Sequence, residues 1–214
     1  MPDRGPIAAI ALAAGGSRRF GSNKLLYPVT LKGETLPLAA YSLLPWLENF
    51  ERVTVVVRPG SEAFRAAIEM ALDPSQTAAI RWLVCPDAVR GMAASLACGV
   101  RANPDAAGWL IGLADMPALP PEAIGGVRKA LVEGADLAAT VCDGRRGHPV
   151  GFAAHYRDEL LALQGDAGAR HLLERDISRL VQIGISDKGI FADIDLPVDL
   201  QSLLLTQPTN KVIT

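Results

Sequence analysis

The chain has 214 residues, half of them hydrophobic, and a formal net charge of −2. That length buries a sizeable core in one domain, or in one domain with a small elaboration. The near-neutral charge excludes a global attraction to nucleic acid or to an anionic membrane, so any anion must be bound locally.

Cys85, Cys98 and Cys142 form no CxxC pair. Their odd number and wide spacing exclude a disulfide framework or a zinc site and predict reduced, packed thiols in a cytoplasm. The apolar stretch near the start runs for only about eight residues, too short for a membrane span, and it lacks the charged start and cleavage site of an export signal.

In chain order, Ile7–Leu12 is a continuous apolar run, as expected of a strand buried on both faces. Leu36–Leu47 carries helical spacing, with Pro37 in its first turn and Pro45 expected to end it. The β-branched run Val53–Val57 predicts a second buried strand. A helix follows over Ser61–Leu72, with Ser61 as N-cap. Arg81–Val84 reads as a strand, Ala88–Arg101 as a helix of small residues, and Trp109–Leu113 as a strand ending at Ala-Asp-Met-Pro. Pro120–Glu133 opens with prolines and closes at Gly134, as helices do. Further strands are expected at Ala135–Val141, Pro149–Phe152, Leu180–Ile185 and Ile190–Ile194, with helices near His155–Leu163, Ala167–Glu174 and Pro197–Leu204.

Strands that alternate with helices imply right-handed crossovers and a mainly parallel sheet. The second half has denser strands, which predicts a small antiparallel addition there. The expected architecture is therefore α/β: a single Rossmann-like, three-layer domain over residues 1–205, with a polar tail over 206–214. Ligands of such sheets collect beyond the carboxyl ends of the strands.

The first strand runs into Leu-Ala-Ala-Gly-Gly-Ser-Arg-Arg-Phe-Gly-Ser-Asn-Lys, residues 12–24. Ala13, Ala14, Gly15 and Gly16 carry little or no side chain, so the backbone can come close to a ligand and aim successive N–H groups at it. Arg19 adds a planar fork of donors and Lys24 a point charge. An ordinary glycine-rich turn with solvated basic residues remains the plain alternative on composition alone. Two phosphate-binding patterns fail. Gly16 and Gly21 have the P-loop spacing, but Ser22-Asn23 follow in place of Lys-Ser/Thr; glycines at 15, 16 and 21 do not make GxGxxG.

A third pattern fits. Leu-Ala-Ala-Gly-x-Ser-x-Arg-Phe-Gly-x-x-Lys resembles the signature of the sugar-nucleotide and cofactor nucleotidyltransferases, and is similar above all to the molybdenum cofactor cytidylyltransferase branch of the MobA-like NTP transferases. The segments "GMAASLACGV" at 91–100, "GLADMPALPPEAI" at 112–124, "GRRGHPVGF" at 144–152, "LQGDAGARHLL" at 163–173 and "DIDLPVDL" at 193–200 follow in the order that branch has. The likeness spans nearly the whole chain.

The resemblance implies transfer of a nucleoside monophosphate, CMP from CTP, to a phosphorylated acceptor of the molybdopterin type, with release of pyrophosphate. It implies Mg²⁺ as cofactor and a molybdenum hydroxylase as eventual client, with no nucleic acid or membrane partner. In this reading Lys24, Arg19 and Asp115 are catalytic. The nucleotide is held by Leu12, Ala13, Ala14, Gly15, Gly16, Ser17, Arg19, Lys24, Asp87 and Ser95. Ala14 accompanies cytidylyl transfer, where guanylyl-transferring relatives carry glycine.

Mg²⁺ takes hard oxygen ligands and keeps several waters, so one or two carboxylates suffice beside a triphosphate. Asp115 follows the strand Trp109–Leu113 directly, at the sheet's carboxyl edge; without the family it reads as a turn or cap residue. The resemblance pairs it with Asp195, with Asp193 in reserve, although Asp195 also suits an N-cap before Leu196-Pro197.

For the acceptor, Arg145, Arg146 and His148 lie within four positions, and guanidinium forks suit a phosphate; a solvated basic hairpin turn fits them equally. Arg170 joins them in a segment where Asp166 reads as a helix N-cap. GTP as donor, a sugar phosphate as acceptor, and a non-catalytic nucleotide carrier stay open as alternatives. An NAD-dependent oxidoreductase does not fit, because Arg58-Pro59-Gly60 follows the second strand where an acidic residue is needed.

Overall fold

The computed structural model describes residues 5–16, 20, 23–31, 33–166, 168–196 and 198–200. Its centre is a seven-stranded sheet built from β1 (Ile7–Leu12), β4 (Val53–Val57), β5 (Ile80–Val84), β6 (Gly108–Leu113), β7 (Leu137–Cys142), β8 (Arg145–Ala153) and β9 (Leu180–Gly184). A separate hairpin joins β2 (Pro28–Leu31) to β3 (Glu34–Pro37). The sheet order is β5-β4-β1-β6-β8-β7-β9.

All neighbours are parallel except β8, which runs antiparallel to both β6 and β7. The antiparallel addition is thus one inserted strand. The antiparallel hairpin of the N-terminal half was not expected: in Pro-Val-Thr-Leu and Glu-Thr-Leu-Pro the strands are short and bounded by prolines.

Helices cover both faces, so the expected three layers are present. On one side lie α1 (Leu38–Asn49), α2 (Glu62–Ala71) and α5 (Pro121–Val132), whose Trp46, Ile68 and Ile124 pack with Ala9, Val55 and Leu110 of the sheet. On the other lie α4 (Met92–Arg101), α6 (Arg157–Ala162) and α7 (Arg170–Arg175), whose Leu96, Leu160 and Leu172 pack with Ile10, Val56 and Phe152. Alternate residues of β1 thereby feed opposite cores, as a strand covered on both faces must. A short helix not expected from the sequence, α3 (Pro74–Ala79), precedes β5 with a capping box between Asp73 and Gln76.

Four expectations are corrected. Pro37 does not lie in a first helical turn: Leu36 and Pro37 close β3, and α1 starts at Leu38. Pro45 lies inside α1, not at its end: the helix continues to Asn49, because Leu43 and Trp46 are fully buried and hold the turn in the core. Ala88–Arg101 is interrupted at Gly91, which has φ +116° and separates a 3-10 turn at Ala88–Arg90 from α4. Ile190–Ile194 is no strand; a 3-10 turn at Lys188–Phe191 takes up its first two residues, with Asp187 accepting from the Gly189 N–H at 2.7 Å. Among the described residues no helix is long and apolar enough to cross a membrane. The expected last helix is described only to Leu200, and the tail over 206–214 lies outside the described residues. Cys85 and Cys142 are buried and Cys98 is half-buried, all with free thiols; burial, then the neighbouring Cys85, pushes the Cys98 thiol up to about 11.

Candidate active site

The carboxyl edge of β1 and β6 organises the site. The sheet ladder runs past the ends of both strands: the Ala13 N–H donates to Val56 O at 2.8 Å and the Ala114 N–H to Leu12 O at 3.0 Å. Leu12 and Ala13 are therefore held rigidly, and the exposed loop begins at Gly15 and Gly16. A Cβ on Gly15 would meet nothing within 4 Å, so the protein's own packing does not require glycine there. Ser17 and Arg19, both assigned to the nucleotide, lie outside the described residues. Between them and Lys24, Phe20 is buried edge-on against Tyr27, with ring centroids 5.4 Å apart.

Lys24 opens a 3-10 turn at Lys24–Leu26 whose Leu25 is buried in the core. That anchor turns the lysine inward. Its Nζ lies 2.7 Å from Asp115 Oδ2 and 3.1 Å from Asp195 Oδ1, and donates to the Ile194 carbonyl at 2.6 Å. Asp115 is delivered by β6, with Met116 behind it fully buried. The Ile194 N–H returns a bond to Asp115 O at 3.0 Å, stitching the two carboxylate-bearing segments together. Residues far apart in sequence thus meet around one ammonium.

The electrostatics follow from burial. The side chains of Lys24 and Asp115 are only 9% and 18% exposed. Burial alone would lower the Lys24 ammonium, but the charge and hydrogen bond of Asp115, then those of Asp195, outweigh it and hold it above its ordinary value. Burial pushes the Asp115 carboxyl up; Lys24 offsets part of this and the charge of Asp193 adds to it. The other oxygen of Asp115, Oδ1, is buried with no hydrogen-bond partner among the described residues. A buried carboxylate oxygen without a donor is costly, and a hard cation is the natural group to satisfy it.

The segment carrying Asp193 and Asp195 is tightly seated. A Cβ on Gly189 would lie 2.0 Å from Ala118 O, and one on Gly147 would lie 2.5 Å from Ile190 O. Only glycine permits these two approaches.

Four residues were assigned to the acceptor, and the structure brings two of them together. Arg146 Nη2 and Arg170 Nε donate to the same oxygen, Glu174 Oε1, at 3.3 and 2.7 Å. Arg145 points elsewhere, its guanidinium lying 4.3 Å over the Phe191 ring, as expected of neighbours on a strand. His148 follows on β8, its carbonyl accepting from Thr140 Oγ1 at 2.8 Å. Burial holds the His148 imidazole below its ordinary pKa, with Asp193 opposing, and Nδ1 is buried without a partner among the described residues.

On the opposite flank Asp87 is exposed before the 3-10 turn, whereas Ser95 is buried in α4. A Cβ on Gly99 would lie 2.7 Å from Ile10, so close helix packing explains the small residue there. Asp166 does not cap its own helix. Its carboxylate accepts from the Met92 N–H at the start of α4 at 3.3 Å, and the Ala93 N–H donates to Gly165 O at 3.0 Å. Sequence reading also missed the Ile194 carbonyl and Glu174. A backbone acceptor leaves no sequence signal, and Glu174 looks like any i,i+4 partner of Arg170.

A Rossmann-like sheet whose first strand-end loop and neighbouring strand ends hold an interlocked lysine and carboxylates is the architecture of a nucleotidyltransferase. Residues 9–181 match the MobA-like NTP transferase domain, and the chain belongs to that family. It is 32% identical over 199 residues to the purine catabolism protein PucB of Bacillus subtilis (strain 168), across 89% of this chain and 92% of that one. Among solved structures it is similar to Rv0371c of Mycobacterium tuberculosis H37Rv in complex with manganese, at 25% identity and a TM-score of 0.72, covering 94% of this chain and 99% of that chain. A nucleotidyl transferase from Methanothermobacter (Mth528) shares the fold at 22% identity and a TM-score of 0.71, covering 92% and 95% of the two chains.

Proposed function

We propose that this nucleotidyltransferase moves CMP from CTP to a phosphorylated, molybdopterin-type acceptor. An acceptor phosphate oxygen attacks the α-phosphorus in line, the bond from that phosphorus to the oxygen bridging the β-phosphate breaks, and pyrophosphate leaves with the electron pair. No general base is required, because a phosphate nucleophile is ionised at neutral pH.

The observation that carries this reading is the meeting of Lys24, Asp115 and Asp195 at one point beside the Gly15-Gly16 loop. Gly15, Gly16, Ser17 and Arg19 would hold the β- and γ-phosphates, and Lys24 would neutralise charge growing around the α-phosphate, where fixed charge counts most. Asp115 and Asp195 would hold Mg²⁺, and Asp115 Oδ1, which has no hydrogen-bond partner among the described residues, fits that role. When bound, the cation neutralises phosphate charge as a Lewis acid. A triphosphate would add acceptors around the Lys24 ammonium while its contacts to Asp115 and Asp195 persist, leaving Asp115 Oδ1 for the cation. CTP is favoured by Ala14, which is buried at the root of the loop. Asp87 borders the base, and Arg146, His148 and Arg170 face the acceptor. A molybdenum hydroxylase is the expected client, in the cytoplasm.

The test is a screen of the four ribonucleoside triphosphates with molybdenum-loaded pterin, following pyrophosphate. Release with CTP is expected. Release with GTP alone would overturn the base assignment, and no release with any triphosphate would overturn the reading as a whole.

A further inference from the structure

Arg146 enters on β8 and Arg170 on α7, so the contact between them is set by the tertiary fold and not by local sequence. Both guanidiniums converge on a single oxygen of Glu174. The arrangement is half made. Arg146 Nη2 reaches that oxygen only at 3.3 Å, while Nη1 is buried and has no partner among the described residues. A guanidinium with two parallel N–H groups prefers a bidentate oxyanion, and a buried unpaired donor carries a desolvation penalty.

A phosphate in the place of Glu174 could accept from Arg146 Nη2 and Arg170 Nε through two different oxygens, where Glu174 offers both the same one. Glu174 supplies one oxygen to both arginines. The Arg170 hydrogen bond, with the charges of Arg170 and Arg146, holds the Glu174 carboxyl below its usual range. It competes as an anion at neutral pH, as any exposed glutamate does. Its side chain is half-exposed and Arg170 is largely exposed, so the contact is open to exchange.

We infer that Arg146 and Arg170 form a phosphate subsite whose place is held by Glu174 until a phosphomonoester displaces it. The inference rests on the reading that this face receives the phosphorylated acceptor, and it adds that the enzyme sets its own acceptor affinity through an internal competitor.

The full chain is titrated with inorganic phosphate by calorimetry, comparing the native protein with Glu174→Gln, with Arg146→Gln/Arg170→Gln, and with all three changes together. Glutamine keeps the size and the amide oxygen of the side chain but removes its charge. Glu174→Gln is expected to bind phosphate about two- to fivefold more tightly, the range of a surface ion pair released from competition. The gain should vanish once both arginines are changed, which separates this subsite from phosphate bound at the Gly15-Gly16 loop. Unchanged or weaker binding by Glu174→Gln would overturn the inference, as would a gain that survives loss of both arginines.

The two readings fail separately. If Glu174→Gln tightens phosphate binding while no triphosphate is consumed with any acceptor, the subsite stands and the proposed reaction falls. If cytidylyl transfer proceeds and phosphate affinity ignores residue 174, the subsite alone falls.

Discussion

The Lys24 junction and the Arg146–Arg170 ridge are both cation–carboxylate contacts at one sheet edge, and they are built in opposite ways. Lys24 is buried, tied to two carboxylates and a backbone carbonyl, and braced by the Ile194–Asp115 backbone bond. On the ridge, one half-exposed carboxylate is shared by a largely buried and a largely exposed arginine, and one donor has no partner among the described residues. Buried ion pairs are costly to break from one side, whereas exposed pairs contribute little. The first contact fixes geometry and the second allows exchange, which suits chemistry in one place and variable binding in the other.

Removing one member of the buried junction is the strongest way to test this contrast. Lys24→Ala should lower turnover on the order of 10²–10³-fold and cost about 3–5 kcal/mol of stability, because Asp115 is left buried and unpaired. Pyrophosphate release and denaturant unfolding measure the two, and near-native rates would dissolve the contrast. Next in size, Gly189→Ala would press a methyl against Ala118 O. It should cost about 1–3 kcal/mol, lower the melting temperature by about 3–10 °C, and weaken Mn²⁺ binding measured by electron paramagnetic resonance. An unchanged melting temperature would show that the Asp195 segment is not clamped.

A subtler test uses pH. Burial depresses the His148 imidazole, so the unfolded chain takes up a proton near pH 6.5 that the folded chain resists. The stability tied to neutral His148 is present above pH 6.5 and is lost as pH falls toward the depressed folded value. His148→Asn should flatten the slope of unfolding free energy between pH 7.5 and 5.5; an unchanged slope would place the imidazole in water. The smallest expected effect is on base choice. Ala14→Gly should reduce the preference for CTP over GTP by about tenfold in kcat/KM, the low end of what one small group in a pocket contributes. Unaltered selectivity would detach Ala14 from the base.

What sequence reveals follows the reach of each signal. β4 is legible to the residue, because a run of β-branched side chains buried on both faces favours an extended strand. Asp115 was placed because a strand end and a Met-Pro stop are local features. Partnership is legible only through the family resemblance, which pairs Asp115 with Asp195; no local signal carries it. The meeting of Asp195 with Lys24 depends on glycine-permitted close approaches at 147 and 189, and the capping of α4 by Asp166 joins segments 74 residues apart. Neither leaves a periodic trace. Pro45 misled for a related reason: the local rule that proline ends a helix yielded to the burial of Leu43 and Trp46.

The reversed direction of β8 has a consequence of its own. Ile111 pairs with Val150, so the start of β8 lies beside the finish of β6, and Arg146 and His148 reach the rim where Asp115 stands. The parts proposed to handle donor and acceptor therefore come from separate stretches of chain that share only a border. Exchanging the opening residues of β8, which carry Arg146 and His148, would redirect what is modified without rebuilding what is spent. A single scaffold could diversify its products in this way while leaving its energy source untouched.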